Sequence, residues 1–413
     1  MKNLWIVNQY ANTINMPGHT RQRDLGVFFI KRGYKVKIFA SDFNLSMRKY
    51  YKKNKKFFFK SEIEEKINWI WLSCIKYKEN NWLRYLNIFS FLINLLINIF
   101  FRLLIRSENK PDVIIYSSPQ LPAAIICLII SKFLKIPFIF EVRDLWPKVL
   151  IDIGHIREKS IIYRLLSYIE SIIYKHSSCV VVLSKGCINH VTKFGARKVF
   201  FFPNGPDLKD FKYFPLPKED KEFSVKRPFK IVYSGAHGRV NDLETIIKAA
   251  YLLEEYPIKF HLIGDGPEKS KIMRLALNSK NVFFDSSIPK KKMPKYLANF
   301  DAIIITLLGL ELFKYGVSPN KLYDAYAIGR PVITAIPGIV NEEVEYYGLG
   351  VTAPAENPHL LAKKIKKLYL KSRIEREAMS RSARKVAEKF YSREKISNEY
   401  INLIDNFILN KTY

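Results

Sequence analysis

Short apolar runs recur along this chain, separated by longer segments whose apolar residues return every three or four positions. The first kind reads as buried strand and the second as helix. In the first half, Leu4–Val7, Val36–Ala40, Val113–Ser117, Phe138–Val142, Val180–Leu183 and Val199–Phe202 predict strands, and Thr20–Arg32 predicts a helix closed by Gly33. A second set follows at Phe229–Ser234, Lys259–Ile263, Val282–Asp285, Ala302–Thr306 and Val332–Ala335. Strands alternating with helices mark βαβ units and parallel sheets, so the fold class is α/β. Between the two sets the chain is rich in proline and charge and has no period, which marks a linker. The expected domains are residues 1–205, a linker at 206–228, a second domain at 229–395 and a terminal helix at 396–413. That last stretch has no strand after it.

One segment, Arg84–Arg106, is ambiguous. From Tyr85 to Phe101 it holds no charge, nearly the length of a membrane span. Yet Asn87, Ser90, Asn94, Asn98 and Arg102 fall on an arc of about 120° at helical spacing. A narrow polar stripe on an apolar helix predicts one side meeting water and the rest meeting protein or interfacial lipid. A core helix, a partly lipid-facing helix and a spanning helix all stay open.

Composition then bounds the partners. The chain has 413 residues, 48% of them hydrophobic, and a net charge of +30. Two large cores are affordable at that length. Lysine and arginine concentrate at Arg48–Lys60, interleaved with aromatic rings. Such a run suits an anionic bilayer interface; it also fits a solvated loop or a nucleic-acid contact. Cys74, Cys127, Cys179 and Cys187 are scattered without metal or pairing spacing, which points to a reducing compartment. The opening Met-Lys-Asn-Leu-Trp-Ile-Val reads as a strand, not a leader, so the cytoplasm is the expected location.

Candidate chemistry centres on Tyr315–Ile333. Ser318 and Pro319 suit a helix start and Gly329 with Pro331 suits its end, after which Val332–Ile336 reads as a buried strand. Bare N–H groups at that start form an anion site, and Lys321 adds a full charge. Asp324 lies one turn on and can accept hydrogen bonds from a sugar diol. A diphosphate beside a ribose fits.

This stretch resembles the nucleotide-sugar motif of the retaining family 4 glycosyltransferases, which have the GT-B fold of two Rossmann-like, doubly wound domains facing across a cleft. Asp324 matches the family's ribose-binding acid, usually Glu. A second family Glu, which addresses the donor sugar, falls at Gly316; Glu311 is a possible substitute. Pro17-Gly18-His19 resembles the family's first glycine turn, and His19 as a lone histidine also reads as an ordinary structural residue. Phe140-Glu-Val-Arg-Asp-Leu-Trp-Pro147 resembles the Glu-x-Arg-Asp-x-Trp-Pro segment of the surface-polysaccharide branch (O-antigen or capsule). Its other reading is an ion pair between Arg143 and a neighbouring carboxylate. Tyr233–Arg239 and Leu262–Glu268 resemble the glycine turns of the second domain, with Asn241 where the family has a Lys.

The resemblance implies Lys321, Arg239, Glu141 and Asp144 as the catalytic group. It implies Gly18, Gly235, Gly238, Gly264, Gly266, Asn320 and Asp324 around the donor, with His19 and Arg143 on the acceptor side. The expected reaction is retaining transfer from a nucleotide sugar, a UDP-sugar, to a lipid-linked saccharide, with no cofactor and no metal. The expected partners are these substrates and the anionic inner face of the plasma membrane, not nucleic acid. A sugar-nucleotide 2-epimerase and a basic nucleic-acid-binding protein are the rival readings. A Rossmann oxidoreductase is disfavoured, because no Gly-x-Gly-x-x-Gly follows the first strand.

Overall fold

The computed structural model describes residues 2–16, 20–45, 49–50, 58–77, 82–105, 110–152, 154, 156–158, 160–218 and 227–410. Gly18, His19 and most of the Arg48–Lys60 run lie outside them. The chain forms two compact units. One comprises Met1–Leu183, Cys187–Phe202 and Ser397–Tyr413; the other comprises Ser184–Gly186 and Pro203–Ile396. Each is an α/β unit built on a parallel sheet.

In the first unit eight strands lie in the order Val199–Phe201, Cys179–Val182, Phe138–Val142, Val113–Ser117, Asn3–Val7, Lys35–Ser41, Ile67–Leu72, Phe59–Glu64. Its inner strands are buried along their length: every residue of Val113–Ser117 and Phe138–Val142 is buried, the polar Ser117 and Glu141 included. The edge strand Phe59–Glu64 pairs antiparallel with Ile67–Leu72. Their hairpin turns at Glu65 and Lys66, with φ of 53° and 64°. That conformation normally calls for Asn-Gly, so the sequence carries no signal for the hairpin.

The helix Trp82–Phe100 corrects one expectation. Its polar stripe does not meet water. Asn87 accepts a hydrogen bond from Gln9 Nε2 at 2.7 Å and donates to the Ile75 carbonyl at 2.6 Å. Asn94 donates to the Ser73 carbonyl at 2.6 Å, and Asn98 accepts from the buried Arg102 at 2.7 Å. The stripe is the inward side, where it satisfies main-chain groups next to the sheet. Apolar side chains point out instead: Trp82, Tyr85, Phe89 and Phe100 are all exposed.

Residues from Ser397 onward pack in the first unit: Tyr400 stacks on Phe202, and Asp405 pairs with Lys2 and the Tyr34 hydroxyl. Cys74, Cys127, Cys179 and Cys187 are free and buried, and burial pushes the Cys74 and Cys187 thiols up to about 12.

The second unit has six parallel strands in the order Val282–Asp285, Ile258–Ile263, Phe229–Ser234, Ala302–Thr306, Val332–Ala335, Gly350–Thr352. Numbered along the chain this is 3-2-1-4-5-6, the doubly wound order, whose direction reverses between Phe229–Ser234 and Ala302–Thr306. Ile231, Ile246, Phe260, Ile304, Ile333 and Ile365 are among its core. Gly350–Thr352 is too short to show a period in the sequence. Of the expected linker, residues 206–218 and 227–228 belong to this unit, where Arg330 binds the carbonyls of Phe214 and Pro215.

Candidate active site

In doubly wound sheets, ligands bind beyond the carboxyl ends of the strands where the strand order reverses. In the second unit that place is occupied by the loop leaving Phe229–Ser234, facing the start of the helix Asn320–Ile328. No side chain caps this helix. Ser318, expected as its cap, instead accepts the Asn204 backbone N–H through Oγ at 2.9 Å, and Pro319 takes the capping position. Gly329 closes the far end in the left-handed conformation.

Lys321 Nζ donates to Tyr233 Oη at 2.9 Å and to Asn241 Oδ1 at 3.1 Å, and sits 4.2 Å from the Tyr233 ring centroid. All these partners are neutral, and among the described residues no carboxylate pairs with it. Burial lowers its pKa to about 7. A side chain at Gly235 would start 3.2 Å from this ammonium, so the bare main chain there leaves room beside it.

Gly264 and Gly266 let two loops touch through their backbones. A Cβ on Gly264 would collide with the Gly235 carbonyl, and one on Gly266 with the His237 carbonyl. The His237 N–H in turn donates to the Asp265 carbonyl at 2.8 Å. Gly238 precedes the turn Arg239–Asn241. Arg239 is exposed there and carries no ion pair among the described residues, while Asn241 of the same turn holds Lys321.

Asn320 is exposed at the helix start, and Asp324 is half-buried one turn on. Asp324 has no hydrogen-bond partner among the described residues. Burial raises its pKa to about 6, against the opposing pull of Lys290 and Arg393. Gly316 has φ 85°, and a Cβ there would overlap Ser184 Oγ, so this backbone leaves no space for an acidic side chain. Glu311 is exposed and pairs with Lys314 at 2.5 Å.

The polar cluster of the first unit is built differently. Glu141 is buried, receives Arg21 at 2.9 Å and accepts Ser117 Oγ at 2.8 Å; Arg21 also donates to the Phe202 carbonyl at 2.8 Å. The alternative reading of Arg143, an ion pair with a neighbouring carboxylate, does not hold for Glu141, which pairs with Arg21 instead. Arg143 is half-buried and forms no ion pair among the described residues; its backbone N–H donates to Ser118 Oγ at 2.9 Å. Asp144 beside it is exposed.

Comparison with known proteins agrees with this architecture. Residues 20–210 match the family description Glycosyltransferase Family 4, and residues 217–386 match Glycosyl transferases group 1. The chain is a GT-B glycosyltransferase. A probable glycosyltransferase of Pseudomonas aeruginosa, WbjE, is 25% identical over 72% of each chain. WcaI of Escherichia coli K12, named for colanic acid biosynthesis, is 24% identical over 73% of this chain and 76% of its own. In fold the glycosyltransferase is similar to sucrose-phosphate synthase from Thermosynechococcus elongatus, with TM-score 0.77, 13% identity and coverage of 99% and 100%. Anabaena HepE, solved with UDP-glucose, gives TM-score 0.67 at 14% identity, covering 98% and 100%.

Three further residues of this candidate site carry no role that the sequence alone assigns. Tyr233 and Asn241 hold Lys321 from 88 and 80 residues away. His237 is fully buried, neither ring nitrogen has a hydrogen-bond partner among the described residues, and burial, then Lys269, lowers its pKa. Only its place in a glycine-flanked turn marks it in the sequence.

Proposed function

We propose that this glycosyltransferase moves a sugar from a UDP-sugar to a lipid-linked saccharide, with retention, during assembly of a cell-surface polysaccharide. One observation carries the reading: Lys321 stands at an uncapped helix start with neutral partners only, beside the bare backbone of Gly235. A diphosphate supplies the missing negative charge and holds the amine protonated. Arg239 on the neighbouring turn has no ion-pair partner among the described residues and adds a second cation. Asp324 is free to accept the ribose hydroxyls. The names of WbjE and WcaI and the UDP-glucose of HepE support the donor and the pathway class.

In this reading the acceptor hydroxyl attacks the anomeric carbon from the face the diphosphate is leaving. The carbon–oxygen bond to the diphosphate breaks and the departing phosphate oxygen takes the hydroxyl proton. No enzymic nucleophile is required. Charge on the leaving group is met by Lys321, Arg239 and the helix dipole, so no metal enters the scheme. The enzyme works on the cytoplasmic face of the plasma membrane, attached peripherally.

A thermal-shift comparison tests the donor site, since binding to the native state raises its melting temperature. UDP should raise the melting temperature of the wild type and not of Lys321→Ala. Equal shifts in both proteins overturn the assignment. Loss of nucleotide sugar without an acceptor, giving an epimerised nucleotide sugar, would replace transfer by epimerisation.

A further inference from the structure

We propose that the face of the first unit formed by helices Trp82–Phe100, Leu121–Leu134 and Ile161–His176 docks on an anionic lipid bilayer; the inference rests on the lipid-linked acceptor reading and names the surface that would serve it. The three helices form one layer, the second packing against both others.

The longest helix is turned inside out relative to a soluble surface helix. Asn87, Asn94 and Asn98 face the protein and bond to it, whereas Tyr85 is 67% exposed and Phe89 56%. Water ordinarily selects the opposite orientation. The same pattern continues across the layer. On Leu121–Leu134, Ile129 and Phe133 are 62% and 81% exposed; on Ile161–His176, Ile161, Leu165 and Tyr168 stand out one turn after another. Contiguous exposed apolar faces are uncommon on soluble monomers and mark interaction surfaces.

Charge selects the occupant. Across the three helices the single carboxylate, Glu170, is buried against Tyr174 and His190. The exposed ions among the apolar residues are cations, Lys132 and Arg164, with Lys175 near one end. Trp82, Tyr85 and Tyr168 are the amphipathic rings that settle at headgroup depth. An apolar plate whose three helices bear exposed cations and no exposed carboxylate fits a bilayer carrying negative lipid.

The test is flotation of the full chain with vesicles of phosphatidylglycerol and phosphatidylcholine in equal parts, against phosphatidylcholine alone. The wild type should float with the anionic vesicles and less with the neutral ones. Ile129→Glu with Phe133→Glu should lower the bound fraction by about tenfold or more, since two buried apolar contacts are lost. Ile161→Glu with Leu165→Glu should act alike from the adjoining helix. Leu277→Glu, at an exposed apolar position of the second unit, should change nothing. A UDP-induced thermal shift retained by every variant shows that each is folded. The proposal is overturned if the wild type does not float or if folded variants on this face bind as well as it does. It is equally overturned if sedimentation shows those variants splitting a dimer while lipid binding stays. The transferase reading fails separately, by a wild type that gives no UDP shift.

Discussion

The two sheets present polar clusters beyond the carboxyl ends of their strands, yet the clusters differ in what is left over. In the first unit Glu141 and Arg21 satisfy one another, and Ser117 and the Phe202 carbonyl take further valences. In the second unit Lys321 has only neutral partners, and Asp324 has no hydrogen-bond partner among the described residues. A charge buried with its counterion is structure; a charge half-buried without one is poised for a ligand that supplies it. Position at a strand end is common to both and does not separate them. The charge of the partners does.

The largest test of that contrast is Lys321→Ala. Losing the Lys321 ammonium should reduce kcat/KM by about a thousandfold, on the scale of one leaving-group donor, with little change in urea stability. Kinetics beside a denaturation curve would check it; a mostly folding defect would erase the contrast. Glu141→Ala should do the reverse. It strands the Arg21 guanidinium and should lower stability by about 3 kcal/mol, with UDP affinity per folded molecule unchanged. Gly316→Ala sharpens the picture between the two: its φ of 85° and the overlap with Ser184 should reduce stability by about 2 kcal/mol by urea titration.

Asp324→Asn should raise the donor KM by about tenfold, one charge-assisted hydrogen bond being weakened, with kcat nearly unaltered. The smallest effect is in pH. Lys321, lowered to about 7, loses its proton and its grip on phosphate as pH rises through that value. Asp324, raised to about 6, is protonated and stops accepting as pH falls through that value. Donor affinity in the unliganded enzyme should therefore peak between about 6 and 7 and drop severalfold on either side. A flat profile from isothermal titration would show that neither group meets the donor.

The central strands were readable because buried parallel strands are unbroken apolar runs, as at Val113–Ser117 and Ala302–Thr306. The hairpin at Glu65 and Lys66 was not, since its left-handed turn has no Asn or Gly to announce it. At the site, the spacing of Lys321 and Asp324 placed both near one helix start. That Ser318 bonds to Asn204 and leaves the helix uncapped was hidden, because Asn204 lies 114 residues away.

Neighbouring residues alone were enough to set the α/β class, most strand positions and the cationic helix start, for these depend on periods and propensities acting within a few positions. Three matters waited on the folded chain: which counterion Glu141 finds 120 residues away, which oxygens hold Lys321, and which side of Trp82–Phe100 turns inward. Each is a competition among groups distant along the chain. A periodic pattern states that a helix has two faces; only what packs against it decides which face is the inside.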